Sequence, residues 1–169
     1  MSYRVLADAY YHTDQYTKAL EAAAKSLKFQ ESSVTYIIRA LTYKELRLNR
    51  KALEDTQKAI QLQSASTNAK LYSLRAQLHT LLGSWDNALR DASKAILLDN
   101  TGATYFRLRA FVYFKTEQFQ LAFDDLARAI ARSPKNWINF DLRGRFYHEL
   151  GDQEAAKFDV EQALHLQPK

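Results

Sequence analysis

Hydrophobic and polar positions alternate along this chain with the three-and-four spacing of an amphipathic helix, and the pattern returns about every 34 residues. Three stretches make the recurrence visible: "RALTYKELRLNRKALEDTQKAI" (Arg39 to Ile60), "RAQLHTLLGSWDNALRDASKAI" (Arg75 to Ile96) and "RAFVYFKTEQFQLAFDDLARAI" (Arg109 to Ile130). Ala88, Ala122 and Ala156 lie 34 apart, Ala19 and Ala52 lie 33 apart, and Ala52 and Ala88 lie 36 apart, which puts two spare residues in the loop "QLQSASTNA". A second alanine follows seven residues later at Ala59, Ala95, Ala129 and Ala163, with Ser26 in the first unit, and the next residue is Leu27, Ile60, Ile96, Ile130 or Leu164. Upstream stands an aromatic: Tyr3, Tyr36, Tyr72, Phe106 or Phe140. Four residues after it comes Ala7, Ala40, Ala76, Ala110 or Gly144, and seven after it Tyr10, Tyr43, His79, Tyr113 or Tyr147.

Residues three and four apart share one face of a helix, so each unit reads as two amphipathic helices joined by "TDQY", "LNR", "GSWD", "KTEQ" or "GDQ". The linkers "DNTG" and "SPKN" carry residues suited to helix caps. Small residues at Ala7 and Ala19, and at their equivalents, let the two helices of a pair approach closely. One pair cannot bury both of its faces, so the units must stack. The expected fold is all-α: a solenoid of five helix-turn-helix repeats, forming a single domain over 1–169 with repeats near 1–32, 33–68, 69–102, 103–136 and 137–169.

A charged pair also recurs. Arg39, Arg75, Arg109 and Arg143 precede the small residue of the last four units, and Asp55, Asp91, Asp125 and Asp159 follow each by sixteen positions. The first unit has Leu6 and Ala22 there, so the charges come and go together. This predicts an Arg–Asp pair tying one helix to another, because the guanidinium fork can hold a carboxylate through two hydrogen bonds.

Composition supports helix and narrows the chemistry. Four Gly and two Pro leave little material for β-turns, and 47% hydrophobic residues suffice for a core. There is no Cys, hence no disulfide and no thiolate metal site. No secretory signal and no apolar run long enough to cross a membrane is evident, and a cytoplasmic location is expected. The net charge of +5 is spread along the chain without a basic block. His12, His79, His148 and His165 lack a second ligand at i+3 or i+4 of the kind a zinc site would require, adjacent Asp124 and Asp125 point in different directions, and the glycines are single. No enzyme activity and no cofactor or metal is expected.

The spacing of these residues resembles the tetratricopeptide repeat family, most closely in the last unit: Phe140, Gly144, Tyr147, Ala156, Val160, Ala163 and Pro168. The resemblance covers five units and essentially the whole chain. It implies a right-handed α-α superhelix in which the first helix of each unit lines a concave groove through its second, fifth, ninth and twelfth residues. Carried onto this sequence, those are Arg4, Asp8 and Tyr11; Val34, Ile37, Leu41 and Lys44; Lys70, Ser73, Gln77 and Thr80; Thr104, Arg107, Phe111 and Phe114; and Ile138, Asp141, Arg145 and His148. The apolar Val34, Ile37 and Leu41, and Phe111 with Phe114, either anchor a ligand or are buried by curvature against neighbouring first helices. With Lys44, Lys70, Arg107 and Arg145 between them, the groove suits a peptide carrying apolar and acidic residues. The asparagines with which chaperone-binding members hold a C-terminal carboxylate are absent from the matching positions.

The resemblance therefore implies a protein-interaction scaffold or adaptor. The alternatives are a nucleic-acid-binding array, which lacks the recurring aromatic and basic groove positions it would need, or an architectural segment of a larger protein. At the end of the chain, Gln153 and Lys157 make the outer face more polar than in earlier units. Phe158 stands where earlier units have Glu21, Glu54, Arg90 and Asp124, and is a candidate docking residue for a second copy, giving a homodimer, or for a following segment.

Overall fold

A computed structural model describes residues 2–63 and 68–167. Part of the loop "QLQSASTNA", where the two spare residues are expected, and Pro168 lie outside them. The described residues form ten helices and no strand: α1 (Tyr3–His12), α2 (Tyr16–Phe29), α3 (Ser33–Glu45), α4 (Asn49–Leu62), α5 (Ala69–Leu81), α6 (Trp85–Leu98), α7 (Ala103–Lys115), α8 (Phe119–Arg132), α9 (Trp137–Glu149) and α10 (Gln153–Leu166). The chain divides into two compact units, Met1–Ser84 with α1 to α5 and Trp85–Lys169 with α6 to α10.

Five turns between helices share one construction. Asp14, Arg47, Gly83, Glu117 and Gly151 have φ of 57°, 61°, 71°, 60° and 86°. In each turn the next residue returns its N–H to the carbonyl five residues back: Gln15 to Tyr10, Leu48 to Tyr43, Ser84 to His79, Gln118 to Tyr113 and Asp152 to Tyr147, at 2.8–2.9 Å. A single left-handed residue thus closes each first helix and satisfies its orphan carbonyls. Side-chain N-caps include Ser2, Asn68, Asn136 and Asp152, which accept from Val5, Lys70, Ile138 and Ala155 N–H.

In the first unit, the alanines that set the repeat are the points of closest approach. Ala7, Ala19, Ala23, Ala40, Ala52 and Ala59 are fully buried. Larger side chains fill the spaces beside them. Ile38 packs against Ala7, Ala22 and Ala23; Leu71 against Tyr36 and Ala59; Leu74 and Leu78 against Ala40 and Ala52. Each cluster therefore joins one hairpin to the next helix, which is how stacking buries faces that a lone hairpin would expose.

The second unit repeats the arrangement. Ile96 packs on Ala103, Phe106 and Ala129, and Phe146 enters a pocket made by Ala110, Phe114, Ala122 and Leu126. In the last hairpin, Gly144 replaces the alanine, and a Cβ there would sit 3.3 Å from the Ala156 carbonyl oxygen and from the Asp159 Cβ.

The Arg–Asp pairs form within hairpins. Arg39 donates Nε and Nη2 to Asp55 at 2.6 and 2.7 Å, Arg109 to Asp125 at 2.6 and 3.0 Å, and Arg143 to Asp159 at 2.7 and 2.8 Å. Arg75 and Asp91 fall on either side of the division into units. The carboxylates are buried, and the guanidinium groups lie beside the repeat aromatics: Arg39 near Tyr36 and Tyr43, Arg109 near Phe106 and Tyr113, Arg143 near Phe140. Hydrogen bonds donated to the aspartates raise the arginine pKa values against the opposing effect of burial.

Candidate functional site

The groove positions of the second unit lie on α7 and α9. Phe114 does not face a ligand there. It is 5% exposed, stacks on Phe146 with ring centroids 3.8 Å apart, and meets Phe119 edge-on at 5.2 Å. Packing between successive first helices buries it, and it is a core residue rather than an anchor. Phe111, one turn earlier, is half-buried, packs on the rim of that core, and has the Lys115 ammonium 5.8 Å from its ring centroid.

Arg107 differs from the arginines that pair with aspartate. It is half-buried, and Nη1 donates to Asn139 Oδ1 at 2.9 Å. Asn139 is fully buried, and its amide NH2 donates to the Ala129 and Ser133 carbonyls at 3.3 and 3.2 Å. The amide is therefore oriented with its oxygen toward the arginine. Among the described residues no carboxylate lies within ion-pair distance of Arg107. Burial without a counter-charge lowers its pKa. Arg145, by contrast, is exposed and paired with Asp141 at 3.0 Å, while Thr104 and Ile138 are exposed.

The first unit carries the remaining positions on α1, α3 and α5. Lys44 Nζ reaches Gln77 Oε1 at 3.4 Å and brings α3 and α5 together. Ile37 and Leu41 are half-buried against core clusters, whereas Val34 is 45% exposed. The apolar strip is thus partly structural and open at its first residue. Tyr11 packs on the Ala7–Ile38 cluster, and burial raises its pKa, with Glu45 and Asp14 adding to the effect. Arg4 and Lys70 are exposed; Arg4 lies in a hollow with Tyr3 and Phe29, whose rings stack at 5.9 Å.

Phe158 on α10 is 58% exposed. His12 lies 3.6 Å from Asp8, and His148 Nδ1 is 3.1 Å from Gln153 Oε1. Among the described residues no group of three or more His, Cys, Asp or Glu side chains is placed to hold a metal ion, and no helix is long and apolar enough to cross a membrane.

Two features were not read from the sequence. The shared left-handed turn residue was hidden because only Gly83 and Gly151 advertise it. Asn139 looked like an ordinary helix residue, although it stands where the other units have Ser2, Thr35, Leu71 and Tyr105.

Comparison with known proteins agrees with this geometry. A tetratricopeptide repeat family model matches residues 140–169. MamA has the same fold over 95% of this chain and 94% of its own, with 20% identity and a TM-score of 0.81. Residues 140–169 thus match a tetratricopeptide repeat, and the chain as a whole shares the helical fold of these structures. MamA 41-end from Desulfovibrio magneticus RS-1 is similar over 97% of this repeat array and 92% of its own chain, at 13% identity and a TM-score of 0.84. YrrB, a tetratricopeptide-repeat protein with an unusual peptide-binding site, is similar over 99% of the array and 86% of its own chain, at 18% identity and a TM-score of 0.76. The human DnaJ homolog subfamily C member 7 is 32% identical over 109 residues, which is 57% of the array and only 22% of that protein's length.

Proposed function

We propose that this repeat array is a protein-interaction scaffold, and that the first helices α7 and α9 bind a peptide segment carrying an acidic residue next to an apolar one. The observation that carries the reading is Arg107. A half-buried cation held only by a neutral amide has lost hydration without gaining a counter-charge, which is unfavourable until an anion arrives. Asn139 fixes one side of the fork, and the other guanidinium nitrogens remain to meet a carboxylate. Half-buried Phe111 stands one turn away and offers an aromatic surface for the adjacent apolar side chain. The fold shared with YrrB, described as having a peptide-binding site, supports the same reading. In the first unit, Lys44 with Gln77, exposed Val34, Lys70, Arg4 and Tyr11 form a candidate surface of their own. The role is binding rather than catalysis, and the proposal places the protein in the cytoplasm.

The test is affinity capture of random peptides by the full chain and by Arg107→Gln and Phe111→Ala. Captured peptides should be enriched in Asp or Glu beside Leu, Ile or Phe. Both variants should keep wild-type helicity and weaken binding by about 10-fold or more, as for loss of an anchor residue. Capture without acidic enrichment, or undiminished binding by Arg107→Gln, would sink the reading. Binding carried mainly by phosphate would instead fall steeply with added salt for any nucleic acid offered.

A further inference from the structure

Where one hairpin joins the next, two register positions meet: the fifth residue of one first helix and the third residue of the following first helix. Between α3 and α5 these are Ile37 and Leu71, which pack with Tyr36 and Ala59. Between α7 and α9 they are Arg107 and Asn139, and the amide oxygen of Asn139 takes the guanidinium at 2.9 Å. Between α1 and α3 they are Arg4 and Thr35, and Ser26 stands where the other two joins have Ala59 and Ala129. Thr35 is shorter than asparagine, and its hydroxyl turns to Ser26 Oγ, 3.3 Å away. An open hollow of about 330 Å³ is left, lined by Arg4 with Ser2, Ser26, Gln30, Ser32 and Thr35. Its walls come from α1, α2 and the start of α3, so it belongs to the join between two hairpins that pack on each other.

The lining is rich in donors that have no acceptor. Arg107 receives an oxygen from the next first helix, whereas Arg4 is exposed and, among the described residues, no carboxylate lies within ion-pair distance of it. Ser32 precedes α3 but its side chain makes no capping hydrogen bond, so that hydroxyl is available. Ser26 and Thr35 share one hydrogen bond, which leaves one of their two hydroxyl protons to give. The Gln30 amide adds further N–H donors. The Tyr3 ring, stacked on Phe29, forms an aromatic wall, and the Lys25 ammonium lies 5.8 Å from its centroid. Glu31, the neighbouring acid, is already engaged by the Tyr36 hydroxyl at 2.9 Å. A guanidinium, a nearby ammonium and several hydroxyls around one space exceed what the two oxygens of a carboxylate can use. They match a phosphate monoester, which presents three strong acceptor oxygens and roughly two negative charges.

We propose that this hollow binds a phosphorylated side chain of a partner polypeptide, its phosphate held between Arg4 and the hydroxyls of Ser26, Ser32 and Thr35. The aromatic wall gives the residue that carries the phosphate a surface to lie on. One arginine and one ammonium serve a single phosphate, and the basic residues are spread along the chain without the block that a polyanion such as nucleic acid would need. The site lies within the first-unit surface proposed above, but it rests on Arg4 and its surroundings, not on Arg107.

The probes are two degenerate peptide libraries, each with one fixed residue, phosphoserine or phosphotyrosine, and the same libraries after phosphatase treatment. The full chain should retain at least one phosphorylated library about 10-fold better than its dephosphorylated form, as expected when a charge-assisted hydrogen bond is lost. Arg4 is exposed, so Arg4→Gln should keep the wild-type circular dichroism, and it should reduce that preference by about 10-fold or more. Thr35→Asn gives this join the amide that Asn139 supplies to Arg107, and should fill the hollow, engage Arg4 and remove the preference too. Arg90→Gln, exposed on α6, is the control for loss of one positive charge and should change nothing. Equal capture of phosphorylated and dephosphorylated libraries overturns the proposal, as does an undiminished preference in Arg4→Gln or in folded Thr35→Asn. Inorganic phosphate that competes as well as the phosphopeptides would mean an adventitious ion only. Tighter, Arg4-dependent retention of single-stranded RNA or of phosphoinositide vesicles would give the hollow to a different ligand and overturn it as well. The Arg107 reading is decided separately, by unphosphorylated acidic peptides and Arg107→Gln, so either reading can fail alone.

Discussion

Phe114 and Phe146 stack with their ring planes 9° apart and their centroids at 3.8 Å, joining α7 to α9 through the core of the second unit. Phe114→Ala removes a buried ring from a close-packed site and should cost about 3–5 kcal/mol of stability, against about 1 kcal/mol or less for half-buried Phe111→Ala. Urea denaturation of the two variants checks this. Equal losses would mean that Phe111 is as deeply packed as Phe114. A binding defect in Phe114→Ala therefore reports the core, and only Phe111→Ala interrogates the surface.

The Arg109–Asp125 pair should behave as a structural element. Asp125 is 1% exposed and accepts from Arg109 and from Arg128, while Arg109 also reaches Ser93 Oγ at 3.3 Å. Asp125→Ala strands a guanidinium that is largely buried, and should destabilise the fold by about 3–5 kcal/mol. Replacing both partners, Arg109→Met with Asp125→Leu, should cost less than the single change, since no uncompensated charge remains. Chemical denaturation of the three variants decides it, and an equal or larger loss in the double variant would contradict this account.

The turns offer a stabilising change. Glu117 adopts φ of 60°, where a side chain is unfavourable and the equivalent residues in two other turns are Gly83 and Gly151. Glu117→Gly should raise stability by about 0.5–1 kcal/mol, the left-handed strain outweighing the extra freedom of glycine in the unfolded chain. A thermal melt showing no gain or a loss would mean that Glu117 makes compensating interactions.

How much was legible follows from which signals repeat. Helix pairs, their core alanines and the Arg39–Asp55, Arg109–Asp125 and Arg143–Asp159 pairs were readable because hydrophobic period and charge recur together at fixed spacing. Whether an aromatic on a first helix faces a groove or a neighbour was not readable. Phe111 and Phe114 differ by less than one helical turn, and only the packing of Phe146 separates them. The special character of Arg107 was hidden for a related reason. A lone arginine looks like every other one until its partner is known, and Asn139 is 32 residues away in sequence.

Alkaline pH should weaken the fold through its tyrosines. A hydrogen bond to Asp14 raises the Tyr16 pKa to about 12, and one to Glu31, aided by burial, raises that of Tyr36. In the unfolded chain both phenols ionise near pH ~10. Between those values the folded chain keeps protons that the unfolded chain has released, so stability present below about pH 10 declines as pH rises toward 12. A spectrophotometric titration should show one phenol ionising near 12 that is absent in Tyr16→Phe. An unchanged titration curve would show that the Asp14 hydrogen bond does not persist in solution.

Phe158 gives the final test, because its exposure has no structural explanation within its own hairpin. It projects from α10 at 58% exposure, where the earlier units carry charge, and it lies on a different side of that helix from the groove lined by Ala156 and Val160. If it docks a second copy, two rings and their surroundings would leave water together, and association should rise with concentration. Sedimentation velocity over a hundred-fold concentration range is then expected to show a dimer for the wild type and a monomer for Phe158→Glu, with the same circular dichroism. A wild type that remains monomeric throughout would remove the homodimer and leave Phe158 as an ordinary exposed apolar residue or a contact for a different chain.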